Sequence, residues 1–301
     1  VLTSSPGAEV MEAPASGVAT EPIGDDRVTI PEAHRGYVTV VPADAKVLGR
    51  DTTVADILDA IDRKVPAPVL LVGDEGSGRT SMAAALAGAR TGAVVRIDNA
   101  AAPADRQLSA LTELLRLTPP DGVLFIDDIE IALGLGFPSG ASGPYLAALR
   151  PAVEGSGPRL VAVVSTPYLA RLQGTDRELI EEFVTVTLPP LDSTTLHTIV
   201  AERAEEIAEY HHVDVPAEVV DAALAPPQDG DLGTHPALAI RRLDVAATRA
   251  ARHQEPAVTR DDLPVAMAVE RRVDPAALAA ALRKQIIGQD AAIAAVAARL
   301  A

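Results

Sequence analysis

The sequence predicts an α/β fold, a parallel sheet flanked by helices and followed by a small all-helical unit. Three observations lead there. The runs "APVLLVG" (67–73), "AVVRID" (93–98), "GVLFIDD" (122–128) and "RLVAVVST" (159–166) are short and continuously apolar, as strands buried on both faces must be. Helical patterns alternate with these runs, which calls for crossover connections between parallel strands. After "TVTLPPLD" (185–192) the strand signals stop and only helical periodicity continues.

The elements follow in order. Residues 1 to about 35 are rich in Pro, Ala, Gly and Ser without an apolar period and read as a linker, with "GYVTVVP" (36–42) a short strand. "TTVADILDAIDRK" (52–64) places Val54, Ile57, Leu58 and Ile61 on one helical face. Helices are further expected over 80–90, 106–117 and 143–155, and in the C-terminal part over 193–210, 216–225 and 236–252. Four segments result: 1–42, an irregular lead-in; 43–190, a large α/β unit; 191–260, a small helical unit; and 261–301, a connecting stretch that opens a further module. The chain begins at Val1 and stops at Ala301 within the amphipathic pattern "IIGQDAAIAAVAARLA", which reads as a segment of a longer protein.

Composition narrows the function. The formal net charge of −16 argues against sequence-independent binding to nucleic acid or to an anionic membrane. No run of the sequence is long and apolar enough to span a bilayer. Aromatics make up 2%, too few for base-stacking platforms, and the absence of cysteine removes disulfides, thiolate metal sites and cysteine nucleophiles. A reducing, cytoplasmic setting is expected on that basis. Adjacent His211 and His212 have a poor spacing for two metal ligands on one helix face and read as surface histidines.

"LLVGDEGSGRTSM" (70–82) carries the chemistry. Gly73, Asp74, Glu75, Gly76, Ser77, Gly78, Arg79, Thr80 and Ser81 lie between a strand and a helix in the pattern of a phosphate-binding loop. Glycines let backbone N–H groups wrap phosphate oxygens, the helix N-terminus favours anions, and the Thr80 hydroxyl suits Mg²⁺. An ordinary glycine-rich turn would share the letters; the strand–loop–helix context favours phosphate. Arg79 stands where a lysine is usual, keeping the charge but replacing a compact ammonium with a planar fork. About 50 residues on, "VLFIDD" ends in two acids at the C-terminal edge of a strand, where α/β sheets bind ligands. Asp127 is placed to hold the Mg²⁺ water shell and Asp128 to activate water. A strand ending in a solvated acidic turn is the plainer reading of the pair taken alone. Thr166 ends the next strand, beside the expected site.

These motifs together resemble the first AAA+ module of the Clp-type double-ring ATPases, from about Val47 to the end. "VLGRD" (47–51) resembles that family's motif beside the adenine, which assigns Val47 and Leu48 to the nucleotide base. "VLFIDDIEIALGLG" resembles its Walker B strand, and "AALRPAVEG" with "RLVAVVST" its sensor-1 strand, with Thr166 at the sensor. "EYHHVDVPAEVV" and "HPALAIRRLDVAATRAA" resemble its small helical subdomain, where Pro236, Ala239, Ile240 and Asp244 match. "RKQIIGQDAAIAAVAARL" resembles the opening of a second module. The resemblance implies ATP or ADP with Mg²⁺ as cofactors and a homo-hexameric ring of the longer protein as the assembly.

The departures fall on working parts. Arg79 replaces the lysine, Asp128 replaces a glutamate, and Glu181 and Glu182 precede Phe183 where the family carries paired arginines that reach a neighbouring subunit. Such an arginine is worth about 10³ to 10⁵ in rate. Arg177, one helical turn earlier, is a candidate displaced finger. "NAAAPADRQLSA" offers no aromatic where the family has its pore loop. The expectation is therefore a nucleotide-binding module degenerate in hydrolysis and serving ring assembly or regulation. Its alternatives are an active unfoldase module, used in disaggregation, proteolysis or recycling of a contractile sheath, and a nucleotide-free adaptor domain.

Overall fold

The architecture is that of a computed structural model, which describes residues 28–44, 47–135, 142–174, 177–228, 231, 233–264 and 292–293. The chain forms two compact units: the first takes the described residues of 1–72 and 80–187, the second those of 73–79 and 188–301.

Among the described residues of the first unit, a 3-10 turn, Glu32–His34, comes first, followed by strand β1, Val38–Val40. Then come α1 (Asp51–Ile61), β2 (Val69–Gly73), α2 (Ser81–Ala89), β3 (Val94–Asp98), α3 (Gln107–Leu117) and β4 (Val123–Asp127). After these lie α4 (Ile129–Ala132), α5 (Ser142–Val153), β5 (Arg159–Ser165), α6 (Leu169–Gln173), α7 (Arg177–Glu181) and β6 (Val184–Thr187). The strands form one sheet in the order β1-β3-β4-β5-β2-β6. β3 pairs parallel with β4, β4 with β5 and β2 with β6, as the alternation of strand and helix demands. β1 differs: it runs antiparallel to β3 at the sheet edge, Val38 facing Ile97 and Val40 facing Val95.

Every residue of β2 and of β4 is buried, which is why these strands appear in the sequence as unbroken apolar runs. β6, "VTVT", alternates instead because it lies at an edge of the sheet. Leu70, Val95, Ile97, Leu124 and Ile126 of the sheet pack with Leu111 and Leu114 of α3 and Leu146 and Leu149 of α5 in one core. Burial of each such side chain contributes about 1.5–3 kcal/mol.

At the start of this unit the buried His34 is clasped from two sides. Its Nδ1 lies 2.6 Å from the Tyr37 hydroxyl and its Nε2 lies 2.7 Å from Glu113 Oε2 on α3. The clasp ties the chain before β1 to the helix layer.

The second unit contains α8 (Ser193–His211), α9 (Ala217–Ala223) and α10 (Ala237–His253). Asp192 caps α8, accepting from the Thr194 and Thr195 N–H groups at 3.0 and 2.9 Å. Its core joins Val200 and Ala204 of α8, Val219 and Val220 of α9, and Leu243, Ala246, Ala247 and Ala250 of α10. Small residues on α10 let the helices approach closely. Arg242 is buried there with its charge matched: it donates to Asp231 Oδ2 at 2.7 Å and to the carbonyls of Ala223 and Ala225 at 2.9 and 2.6 Å.

Candidate nucleotide-binding site

Within the first unit the two residues expected to hold a cation are joined directly. Thr80 stands at the N-cap of α2, but its hydroxyl caps nothing; it donates to Asp127 Oδ2 at 2.8 Å. Asp127 ends β4 with 1% of its surface exposed. Asn99, fully buried, donates from Nδ2 to the Asp127 carbonyl at 2.7 Å, while Gln107 donates to the Asn99 carbonyl at 2.9 Å. Tyr145 on α5 donates to Asn99 Oδ1 at 3.4 Å, and burial raises the Tyr145 phenol well above its ordinary range. This polar network fixes the end of β4 from below.

The same corner holds a residue that the motif reading passed over. Parallel pairing sets Asp98 of β3 opposite Asp127 of β4, so two carboxylates stand side by side on one face of the sheet. Arg96, two residues before Asp98 and therefore on that face, reaches both. It donates from Nε and Nη2 to Asp127 Oδ2 at 3.1 and 2.9 Å, and from Nη2 to Asp98 Oδ2 at 2.8 Å. The other oxygen of Asp98 accepts from the N–H groups of Ala100 and Ala101 at 3.1 and 3.0 Å. The signal was present in "AVVRID": an arginine inside a buried strand must find an acid.

A hydroxyl beside a carboxylate is the right chemistry for Mg²⁺. The arrangement nevertheless fits a divalent cation poorly. Asp127 Oδ2 already accepts from Thr80 and from two N–H groups of the Arg96 guanidinium. Only Oδ1 is left, buried and without a hydrogen-bond partner.

Beyond β4 the backbone turns sharply. Asp128 adopts a left-handed conformation, φ 47°, unusual for a residue with a side chain, and is half-buried. Glu130 follows on α4, 5% exposed, and accepts from both the N–H and the hydroxyl of Ser165 at the end of β5. Glu130 and Ser165, which the motif reading also passed over, thus join α4 to the strand that precedes Thr166. Thr166 itself opens a 3-10 turn and is exposed. Val47 is half-buried and Leu48 is exposed, just before α1. In α7, Arg177 pairs with Glu181 one turn on, Nε to Oε1 2.6 Å, both side chains being largely exposed. Glu182 is exposed and Phe183 buried, and "NAAAPADRQLSA" carries no aromatic.

The glycine loop is described in the second unit. Gly76 and Gly78 take φ of +84° and +93°, conformations that side-chain-bearing residues rarely reach. Ser77 donates from both N–H and Oγ to the Asp74 carbonyl, at 3.2 and 2.8 Å, which closes the turn. The carbonyls of Glu75 and Gly76 accept from Thr234 N–H at 2.8 Å and Ala237 N–H at 3.3 Å. A Cβ added at Gly76 would stand 2.7 Å from the Thr234 carbonyl oxygen. Asp74 and Glu75 are exposed, Ser77 is buried and Arg79 is half-buried; Ser81, the first residue of α2 in the other unit, is exposed.

Among the described residues, no group of three or more His, Cys, Asp or Glu side chains is placed to hold a metal ion, and no helix is long and apolar enough to cross a membrane.

Residues 69–188 match the family described as ATPase family associated with various cellular activities (AAA). The chaperone protein ClpB of Bacteroides thetaiotaomicron is 22% identical over 196 residues, covering 59% of this chain and 23% of that protein. Hsp104 bound to ATPyS and FITC casein in its closed state superposes with a TM-score of 0.64 at 16% identity, over 88% of this chain and 53% of Hsp104. The Saccharomyces cerevisiae Hsp104–ADP complex gives 0.56 at 16% identity, over 83% and 48%. The chain thus spans about half of the Hsp104 chains and under a quarter of the ClpB chaperone. Residues 69–188 thus carry the AAA-family match, in a chain that has the fold of the Hsp104 modules and resembles ClpB in sequence.

Proposed function

We propose that this module binds an adenine nucleotide without turning it over, and that in the longer protein it serves assembly or regulation of a ring of identical subunits. The observation that carries the reading is the glycine loop: Gly76 and Gly78 at positive φ, in chain order between a buried strand and α2, form the backbone shape that receives phosphate oxygens. In this reading residues 73–81 take the phosphates and Val47 and Leu48 the base. Weak hydrolysis follows from the side chains. Arg79 offers a fork in place of an ammonium. Asp128, the candidate for water activation, is short and sits on a left-handed backbone. Glu181, where an arginine would serve a neighbour, is already paired with Arg177. Thr166 retains a hydroxyl at the expected sensor.

The ring is supported by the likeness to ClpB and Hsp104, and casein is a ligand of Hsp104 in one of those structures. No aromatic stands in 99–110 to grip a threaded polypeptide, which favours a regulatory over a pulling role. Titration calorimetry with ADP and with ATP tests the reading. Saturable binding of both is expected. Absence of binding in every condition overturns it in favour of an adaptor domain without nucleotide.

A further inference from the structure

The corner where a divalent cation is expected is already supplied with a positive charge by the chain. We propose that Arg96 is the resident counter-ion of Asp127, so that nucleotide binds this module with little dependence on Mg²⁺. The inference rests on the nucleotide-binding reading above and adds to it which cation the site uses.

The register of β3 and β4 makes this placement obligatory rather than incidental. With Asp98 opposite Asp127, two carboxylates face each other, one buried and one half-buried, and like charges so placed call for a countercharge. Arg96 is the partner the strand can offer on that face. Its fork sets two N–H groups on Asp127 Oδ2 and shares one of them with Asp98. Its side chain is 22% exposed while that of Asp127 is 1% exposed, so the pair is sheltered from solvent screening. A divalent ion held through Thr80 and Asp127 would have to approach against that fixed charge or displace it. Displacement would strip Arg96 of half its acids and leave it beside the incoming ion. The positive charge that would otherwise arrive with the nucleotide is thus built into β3 as Arg96.

The test uses the whole chain and reads binding, not turnover. ADP affinity is measured with excess MgCl₂ and with EDTA, for the unaltered chain and for Arg96→Met. The unaltered chain should change its affinity by less than about threefold between the two conditions, whereas R96M should gain a dependence of about tenfold or more. Binding of Mn²⁺ without nucleotide, followed by electron paramagnetic resonance, gives a second readout. R96M should acquire a site that the unaltered chain lacks, and the added change Asp127→Asn should remove it.

The conservative Arg96→Lys, which keeps a cation on the strand, should behave as the unaltered chain does; if R96M fails to fold, the comparison of the unaltered chain in MgCl₂ and in EDTA decides by itself. Tenfold tighter binding of ADP by the unaltered chain in MgCl₂, or Mg²⁺ indifference in R96M, overturns the proposal. If no nucleotide binds in any condition the loop reading falls instead. The Mn²⁺ measurement then decides on Arg96 alone: a new site in R96M supports it, and its absence refutes it.

Discussion

Ser165 gives both its backbone N–H and its hydroxyl to one oxygen of Glu130, so the end of β5 is anchored to the short helix that follows β4. Both elements flank candidate site residues, Asp128 on one side and Thr166 on the other. Removing the carboxylate leaves two donors facing a largely buried space. Glu130→Ala should lower unfolding free energy by about 2 kcal/mol. Ser165→Ala removes only the hydroxyl and should cost less. Urea denaturation of the two variants checks the order; equal midpoints to the unaltered chain would show that the contact contributes nothing.

Gly78→Val should abolish nucleotide binding while leaving the far-ultraviolet dichroism intact, because φ of +93° and close backbone approach both exclude a branched side chain. Gly76→Ala acts differently. Its new methyl would meet the Thr234 carbonyl at 2.7 Å, so it should also reduce the stability of the unit that contains α10. Retained ADP affinity in G78V would place the nucleotide away from this loop.

Hydrolysis by the unaltered chain should not rise above background. Arg79, Asp128 and the Glu181–Glu182 pair each withhold a separate contribution to phosphoryl transfer. At about two decades apiece the loss approaches six decades, near 8 kcal/mol, if the effects add. Arg79→Lys alone should not restore turnover. The combination of Arg79→Lys, Asp128→Glu, Glu181→Arg and Glu182→Arg is the informative variant, although arginine at 181 gives up the Arg177 pair and glutamate at 128 must accept a left-handed backbone. A phosphate-release assay on protein freed of contaminating ATPase decides, and ordinary AAA+ turnover by the unaltered chain would refute the degenerate reading.

A pH dependence follows from His235. Burial first, and then the charge of Arg242, hold its imidazole below the ordinary 6.5, against the hydrogen bond to the Ala225 carbonyl and the charge of Asp231. Its Nε2 lies 3.1 Å from that carbonyl, while Nδ1 is buried with no partner to receive a second proton. A depressed value in the folded state means that this contribution is full above pH 6.5 and is lost as pH falls through the folded-state value. His235→Gln should therefore flatten part of the stability loss between neutral and mildly acidic solution. Parallel profiles for the two proteins would remove His235 from the account.

Most of this architecture was legible because it rests on burial. β2, β3, β4 and β5 announce themselves as apolar runs, and α1, α3, α8 and α10 by their periodicity, since packing on both faces or on one stripe leaves a written trace. β6 left a weaker trace, for an edge strand alternates over only four residues. The site was legible by motif where glycines and acids sit next to one another in sequence. Arg96, Asn99, Glu130 and Tyr145 were not, because their partners are fixed by strand register and helix packing. The pairing of Arg96 with Asp127 spans 31 positions and depends on Asp98 facing Asp127 across the ladder. No spacing rule records that.

The antiparallel β1 has a consequence for the solution behaviour of the molecule. β3 is inlaid between β1 and β4, and among the described residues its outer row of N–H and C=O groups is covered by the short β1 that precedes it. Were the chain clipped after residue 41, that row would lose the β1 pairing on a hydrophobic strand, and an unpaired strand edge is the kind of surface that recruits other chains. Protection against self-association thus falls to Val38, Thr39 and Val40, held down by the clasp of His34 between Tyr37 and Glu113.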